Sequence, residues 1–389
     1  MDVHSKFPRK QTTIFAVMSQ LAAEHSAVNL GQGFPDFPVP QFLQEALVKA
    51  MREGRNQYAP MHGIAPLREQ IAAKIAAIYG ANVDAEREIT VTSGATEALF
   101  AAIHAVARAG DEVVVLDPCY DCYAPAIELA GARAVHVPMA RAEDGVFYVD
   151  WQRVKDAFTA RTRLLIVNTP GNPTGAVFSR EDMDTLADVL RDTEVLLISD
   201  EVYEHIVFDG QMHHSVLRHA ELAQRSFVIS SFGKTYHCTG WKLGYAIAPA
   251  ALTADFRQVH QFLTFCAFNP AQWALAEMME HHPEHALELP AFYQQKRDRF
   301  VQLLADTRFT LPKVQGAYFQ LADYSALVPE VGDLSDVEFA RWLTIEKGVT
   351  GIPLSPFYES PPQNQRLIRF CFAKADATQL AAAERLRGL

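Results

Sequence analysis

The stretch Ser230-Ser231-Phe232-Gly233-Lys234-Thr235-Tyr236-His237-Cys238-Thr239-Gly240-Trp241-Lys242-Leu243-Gly244-Tyr245 decides how this chain is read. It follows the apolar run Phe227-Val228-Ile229, which has the composition of a short buried strand. Lys234 therefore falls in the loop leaving the carboxyl end of a strand, where α/β sheets collect their chemistry. A lysine there can form a Schiff base with an aldehyde, provided its surroundings keep part of it deprotonated. Ser231 and Gly233 leave room for a bulky group beside it, and Lys242 supplies a second cation suited to a phosphate. Read alone, the stretch also fits a solvated loop with two surface lysines, so its neighbours must decide.

Working outward, strand-like runs recur at Ile89-Thr90-Val91, Val113-Val114-Val115-Leu116, Ala134-Val135-His136-Val137, Leu164-Leu165-Ile166-Val167, Val195-Leu196-Leu197-Ile198 and Gly244-Tyr245-Ala246-Ile247. Helical patterns lie between them, at residues 97–107, 123–129 and 180–190. Such alternation predicts an α/β fold, with a mostly parallel seven-stranded sheet and helices on both faces. The unusual residues fall in the loops after the strands. Thr92-Ser93-Gly94-Ala95-Thr96 is a small-residue turn entering a helix, where free N–H groups and the Thr96 hydroxyl make a phosphate seat, unless Thr96 is only an N-cap. Asp117-Pro118-Cys119-Tyr120 can lay a ring over a planar ligand. Asn168-Thr169-Pro170-Gly171-Asn172 presents an amide from a rigid turn, and Ser199-Asp200-Glu201-Val202-Tyr203 offers a carboxylate and, three residues on, a phenol.

The flanks are less regular. Residues 13–24 carry an amphipathic helix pattern, and Leu30-Gly31-Gln32-Gly33-Phe34-Pro35 is a Gly/Pro loop able to approach a ligand closely. Residues 41–52 and 67–79 read as helices. Beyond residue 250 long helices are expected at 256–280 and 290–305, a shorter one at 336–347, and strands at 319–322 and 367–372. The expected division is an N-terminal arm (1–40) shared with a smaller α+β domain at 286–389, around a large domain at 41–285.

With 389 residues, 49% hydrophobic and 21% charged, the composition is that of a soluble globular enzyme. A net charge of −11 excludes a sequence-independent grip on nucleic acid and on anionic membranes. No apolar run approaches the roughly 20 residues of a membrane span. The N-terminal Lys6, Arg9 and Lys10 are not followed by a signal-peptide core, so a cytoplasmic protein is expected. Five cysteines in so long a chain do not resemble a disulfide framework, and Cys119-x-x-Cys122 lacks the second ligand pair of a zinc site, so no metal is expected. The 14 histidines are expected at the surface.

Lys234 and the phosphate-seeking groups together suggest pyridoxal phosphate, an electron sink for carbanions at an amino acid's Cα. Asp200 can hold the proton on the pyridine nitrogen, Tyr203 and Asn172 can hydrogen-bond the phenolic oxygen, and Tyr120 can stack on the ring. The stretches SFGKTYHCTGWKLGY, NTPGNPTG, SDEVYEHI, LGQGFPDFP, NQYAP and LIRFCFAK resemble the fold type I pyridoxal phosphate aminotransferases of the class I family, nearest to kynurenine–glutamine and methionine aminotransferases. The resemblance runs from about Thr12 to the C-terminus. It implies that Lys234 holds the cofactor covalently and that Asp200, Tyr203, Asn172 and Tyr120 take the places just described. It further implies phosphate contacts at Ala95, Thr96, Ser231 and Lys242, the last standing where many relatives have Arg. By the same resemblance Tyr58 reaches the phosphate of a neighbouring subunit in a homodimer, Arg369 clamps the substrate α-carboxylate, and Gly33 lies beside the substrate.

Dicarboxylate-specific relatives carry a further Arg shortly before the position of Pro270. Residues 260–270 hold no Arg here and include Phe262, Leu263, Phe265 and Phe268, which are either a substrate-facing surface or core. The expected donors are therefore methionine, phenylalanine, tyrosine, kynurenine or glutamine, with a 2-oxo acid as acceptor. A β-lyase acting on cysteine S-conjugates is the near alternative. A regulator would need a DNA-binding module, and a nucleotide-dependent oxidoreductase would need G-x-G-x-x-G after the first strand; neither is found.

Overall fold

The structure is a computed structural model that describes residues 12–389, so Lys6, Arg9 and Lys10 lie outside the described residues. Its main sheet has seven strands: β1 (Ile89–Thr92), β2 (Glu112–Asp117), β3 (Arg133–Pro138), β4 (Thr162–Asn168), β5 (Leu196–Asp200), β6 (Ser226–Ser231) and β7 (Gly244–Ile247). They lie in the order β1-β7-β6-β5-β4-β2-β3. Six run one way, and β7 runs against both neighbours. Successive side chains serve opposite faces, as a pleated strand requires. Val114, Leu165, Leu197 and Val228 join one core with the helices Gln41–Arg52, Ala65–Tyr79 and Asn269–His281. Val113, Val115, Ile166, Ile198, Phe227 and Ile229 join another, under the helix Gly94–Val106. Because both faces are covered, the inner strands are continuous apolar runs rather than alternating ones. Edge strand β3 alone keeps most of its residues partly exposed, which is why it tolerates Arg133 and His136.

Elements from both ends of the chain build a further core. An antiparallel sheet of Phe319–Asp323, Leu367–Cys371 and Ile352–Pro353 packs with the helices Ile14–Glu24, Asp336–Glu346 and Asp376–Leu386. Val28 and Asn29 pair in parallel with Val349 and Thr350, tying the N-terminal segment to it. Local signals set these elements. Thr13 Oγ1 accepts from Ala16 N at 3.3 Å, and Ser335 with Glu338 forms a reciprocal capping box.

Two expectations are corrected, and one alternative is removed. The single helix over 256–280 is two, Ala250–Leu263 and Asn269–His281, because Phe265 takes a left-handed conformation (φ 68°) and Pro270 suits the first turn of a new helix. The alternative that Thr96 is only an N-cap fails: the helix begins at Gly94, two residues earlier, with Ser93 at the cap position. Several histidines are buried, because each has a partner. His213 Nε2 meets Glu201 Oε2 at 2.7 Å, and His260 bridges Glu97 Oε1 and Met61 O, each at 2.9 Å.

Candidate active site

Strands β1, β2, β4, β5 and β6 end at one edge of the sheet, and β7, running the other way, begins there. Gly244 is in register with both Thr92 and Ser231. A Cβ at Gly244 would lie 2.6 Å from Ser230 O and 3.0 Å from Ala95 N, so only glycine lets these segments close up. The result joins three kinds of donor: the first-turn N–H groups of Gly94–Val106, the Ser231 hydroxyl and the Lys242 ammonium. First-turn N–H groups have no intrahelical acceptor and carry the positive end of the helix dipole. Lys242 sits in a left-handed conformation (φ 53°), and its Nζ would lie 3.5 Å from a Cβ built on Gly94. This is a cradle for a dianion such as a phosphate ester.

These segments border a cavity of about 320 Å³ that Gly33, Ala95, Thr96, Tyr120, Asn172, Asp200, Tyr203, Ser231, Lys234, Lys242 and Arg369 all line. The structure thus brings together every site residue expected from the sequence except Tyr58, which is 83% exposed and meets Phe265 edge to face at 5.3 Å. Phe262, Leu263, Phe265 and Phe268 are neither core nor cavity wall; all four are exposed, Phe262 at 82%.

Lys234 follows β6 directly, in the short helix Phe232–Thr235. Burial lowers its ammonium to about 8, helped by the charges of Arg369 and Lys242 and opposed by Cys371 and Asp200. A usable fraction is then neutral near physiological pH. Its Nζ donates to Tyr318 Oη at 2.9 Å and to Gly33 O at 3.2 Å.

Asp200, at the end of β5, is 3% exposed and has no ion pair among the described residues. Tyr123 Oη donates to its Oδ2 at 2.6 Å and Val202 N to its Oδ1 at 3.3 Å. Burial pushes the carboxyl up to about 6 despite those bonds. A buried carboxylate left without a cation suits a ligand that brings a protonated nitrogen.

Asn168, in register with Asp200, shapes the following turn: its Nδ2 donates to Asp200 O at 2.8 Å and its Oδ1 accepts from Asn172 N at 2.7 Å. Asn172 Oδ1 in turn accepts from Arg369 Nη1 at 2.6 Å. Arg369 is 1% exposed, lies 4.0 Å from the centre of the Phe319 ring and donates through Nη2 to Gly31 O at 2.8 Å. Its Nε is buried with no hydrogen-bond partner among the described residues, and burial lowers the guanidinium to about 10. An unsatisfied, desolvated guanidinium is a receptor for a carboxylate. Burial lifts the Tyr120 phenol to about 12 and the Tyr203 phenol above the ordinary range, so both stay neutral. The Cys119 and Cys122 thiols are likewise pushed well up by burial. Asp117, Cys119 and His136 cluster within 4.8 Å, but Asp117 Oδ1 already holds His136 Nδ1 at 2.8 Å and Oδ2 accepts from Glu359 N at 3.0 Å.

Sequence reasoning missed Tyr123, Tyr318 and Phe15, which also borders the cavity. Tyr123 had a signal, standing one helical turn after Tyr120; Tyr318 had none beyond its place before a strand.

A dianion cradle, a partly deprotonated lysine and an unpaired carboxylate at strand ends fit pyridoxal phosphate, and the comparisons agree. The model of the aminotransferase class I and II family matches residues 25–386, and the chain belongs to that family of pyridoxal phosphate-dependent enzymes. It is an aminotransferase. It is 52% identical over 385 residues to the methionine aminotransferase of Escherichia coli K12, covering 99% of this chain and 98% of that one. A crystal structure of an E. coli protein with methionine aminotransferase function superposes with a TM-score of 0.96, covering 100% of both chains at 52% identity. The probable N-succinyldiaminopimelate aminotransferase of Mycobacterium tuberculosis H37Rv is 39% identical over 384 residues (96% of this chain, 95% of that). Kynurenine–oxoglutarate transaminase 3 of Rattus norvegicus is 37% identical over 396 residues (96% and 87%). Among the described residues no helix is long and apolar enough to cross a membrane.

Proposed function

We propose that this aminotransferase takes methionine and other apolar or aromatic amino acids, kynurenine and glutamine included, as donors, and passes the amino group to a 2-oxo acid. One observation carries the choice. Of the three cations that line the cavity among the described residues, Lys234 and Lys242 have tasks of their own, which leaves Arg369 as the receptor for a substrate carboxylate. A second carboxylate on the donor would be desolvated without a partner, at a cost of about 3–5 kcal/mol. Similarity to methionine and kynurenine transaminases supports the same reading.

In this reading Lys234 holds the cofactor covalently, and Ala95, Thr96, Ser231 and Lys242 hold its phosphate. Asp200 keeps the ring nitrogen protonated, Asn172 and Tyr203 hydrogen-bond its phenolic oxygen, and Tyr120 covers its face. Pyridoxal phosphate, when bound, withdraws electrons from the substrate Cα and so acidifies its proton. Arg369 would orient the α-carboxylate beside Asn172 and Gly33, and the Nζ of Lys234, free and neutral once the substrate amine has taken its place, would take the Cα proton and later return one.

The reading extends to a homodimer in the cytoplasm. Tyr58, Phe262, Phe265 and Phe268 give two neighbouring segments an exposed aromatic surface of the kind a second copy covers, and Asn269 Nδ2 holds the segments together by donating to Gln57 O at 2.8 Å. All five cysteines are free, as suits a reducing compartment. The domain division at about residues 40 and 285 belongs to the same proposal.

The purified enzyme should be yellow and bleach when methionine is added without an oxo acid. A colourless protein that pyridoxal phosphate cannot reconstitute overturns the reading. Steady-state rates should favour methionine over aspartate by about 100-fold or more in kcat/KM. Lys234→Ala should lose covalent cofactor and turnover together.

A further inference from the structure

Lys234 is held in a way that proton transfer alone does not require. Tyr318 is fully buried just before the strand Phe319–Asp323, its ring fixed edge to face against Tyr203 at 5.0 Å and tilted against Tyr293 at 5.8 Å. Its hydroxyl donates to Gly33 O at 2.7 Å. With that hydrogen committed, the phenolic oxygen has lone pairs free, and one accepts from Lys234 Nζ at 2.9 Å. Nζ donates a second bond, to Gly33 O itself, at 3.2 Å. The three groups form a closed triangle. A neutral amine carries two hydrogens and one lone pair; here both hydrogens have acceptors, so tetrahedral geometry turns the lone pair away from the wall that Tyr318 and Gly33 form.

We propose that Tyr318 is a positioning residue for the proton transfer: with the Gly33 carbonyl it makes a two-acceptor seat that aims the Lys234 Nζ lone pair at the substrate Cα whenever Lys234 is not bonded to the cofactor. The inference rests on the transamination reading above. No covalent bond of Tyr318 forms or breaks, and its proton stays on Oη, donated to the Gly33 carbonyl. When Nζ takes a proton, that proton occupies the aimed position, so it can be returned along the same line. The seat also links the catalytic amine to the loop Gly31–Phe34, whose placement then affects chemistry rather than binding alone.

Tyr318→Phe keeps the ring and its packing but removes the acceptor. In the holoenzyme the single-turnover rate with methionine should fall about 10- to 100-fold, with KM changed by less than about 3-fold. The isotope effect with methionine deuterated at Cα should rise as proton transfer becomes more rate-limiting. Replacement of Tyr318 by 3-fluorotyrosine, which keeps the hydroxyl but weakens its oxygen as an acceptor, should give intermediate values; if Tyr318→Phe does not fold, this protein decides. A readout free of turnover is the pH dependence of Lys234 acylation in cofactor-free protein. Asp200, Arg369, Lys242, Cys371, Tyr203 and Tyr318 all act on that amine. Loss of the Tyr318 acceptor should lower its titration midpoint while the other groups stay in place. An unchanged rate, isotope effect and midpoint, or a change confined to KM, overturns the seat. If Lys234→Ala is inactive while Tyr318→Phe behaves as wild type, only this inference fails; an active Lys234→Ala removes the transamination reading itself.

Discussion

Two buried carboxylates stand four residues apart, and the fold treats them in opposite ways. Asp200 receives two hydrogen bonds and, among the described residues, no cation within ion-pair distance, and burial raises its carboxyl to about 6. Glu204 is surrounded: Lys74 Nζ lies 2.7 Å from Oε2, Tyr245 Oη donates to Oε1 at 3.0 Å, and the Tyr79 and Ser230 hydroxyls donate as well. Burial pushes the Glu204 carboxyl up, but the Lys74 charge and these bonds outweigh it and leave it well below the usual range. Neighbouring His205 is pushed down to about 3 by burial and stays neutral. One site is complete within the chain, whereas the other is complete only when a cationic ligand arrives. The first is a closed internal network, and the second is, on the proposal above, the seat of the cofactor's ring nitrogen.

That contrast can be broken from either side. The largest effect on stability should come from Lys74→Met, which strands Glu204 as an unpaired buried charge; urea unfolding should show a loss of about 3–5 kcal/mol. Asp200→Asn should act in the opposite direction in cofactor-free protein, adding about 3 kcal/mol at pH 8 while the holoenzyme loses about 100- to 1000-fold in turnover. If both variants destabilise equally, the contrast is wrong. A pH series sharpens it. The folded Asp200 carboxyl holds its proton to higher pH than the unfolded chain does, so its contribution is fully present below about 4 and is lost as pH rises through about 6. Asn at 200 should remove that loss. The smallest change is expected for Tyr123→Phe, which deletes one hydrogen bond to the charged form, costs about 1.5 kcal/mol and moves the midpoint of the loss upward by about one pH unit.

The sheet and its rim were legible in the sequence for a definite reason. Strands buried on both faces, such as Val113-Val114-Val115-Leu116, announce themselves as apolar runs, and the next few residues must then lie at the rim. Lys234, Asp200, Asn172 and Thr96 could be placed that way. Arg369 could not: it sits within the strand Leu367–Cys371, and only the family resemblance in its flanking residues singled it out. The break between the helices at Leu263 and Asn269 was hidden because Phe265 and Phe268 continue an apolar pattern while facing outward. Tyr318 was invisible because its role depends on Gly33, 285 residues away. No local pattern encodes such a pairing.

The loop over the cavity has a consequence for how the enzyme is made. Three carbonyls within four residues are held by basic side chains: Gly31 O by Arg369, Gly33 O by Lys234 and Phe34 O by Lys374. All three anchors follow the loop in the chain: Lys234 stands 201 residues after Gly33, Arg369 338 after Gly31 and Lys374 340 after Phe34. A chain made from its N-terminus can therefore form the seven-stranded sheet before Arg369 and Lys374 exist, and the loop stays untethered at those two points until they do. A nascent chain interrupted before residue 369 would carry Lys234 and the dianion cradle without the guanidinium that holds Gly31 O. The Gly31–Phe34 loop thus gains its Arg369 and Lys374 tethers only after all the residues of the main sheet, Ile89 to Ile247, have been made.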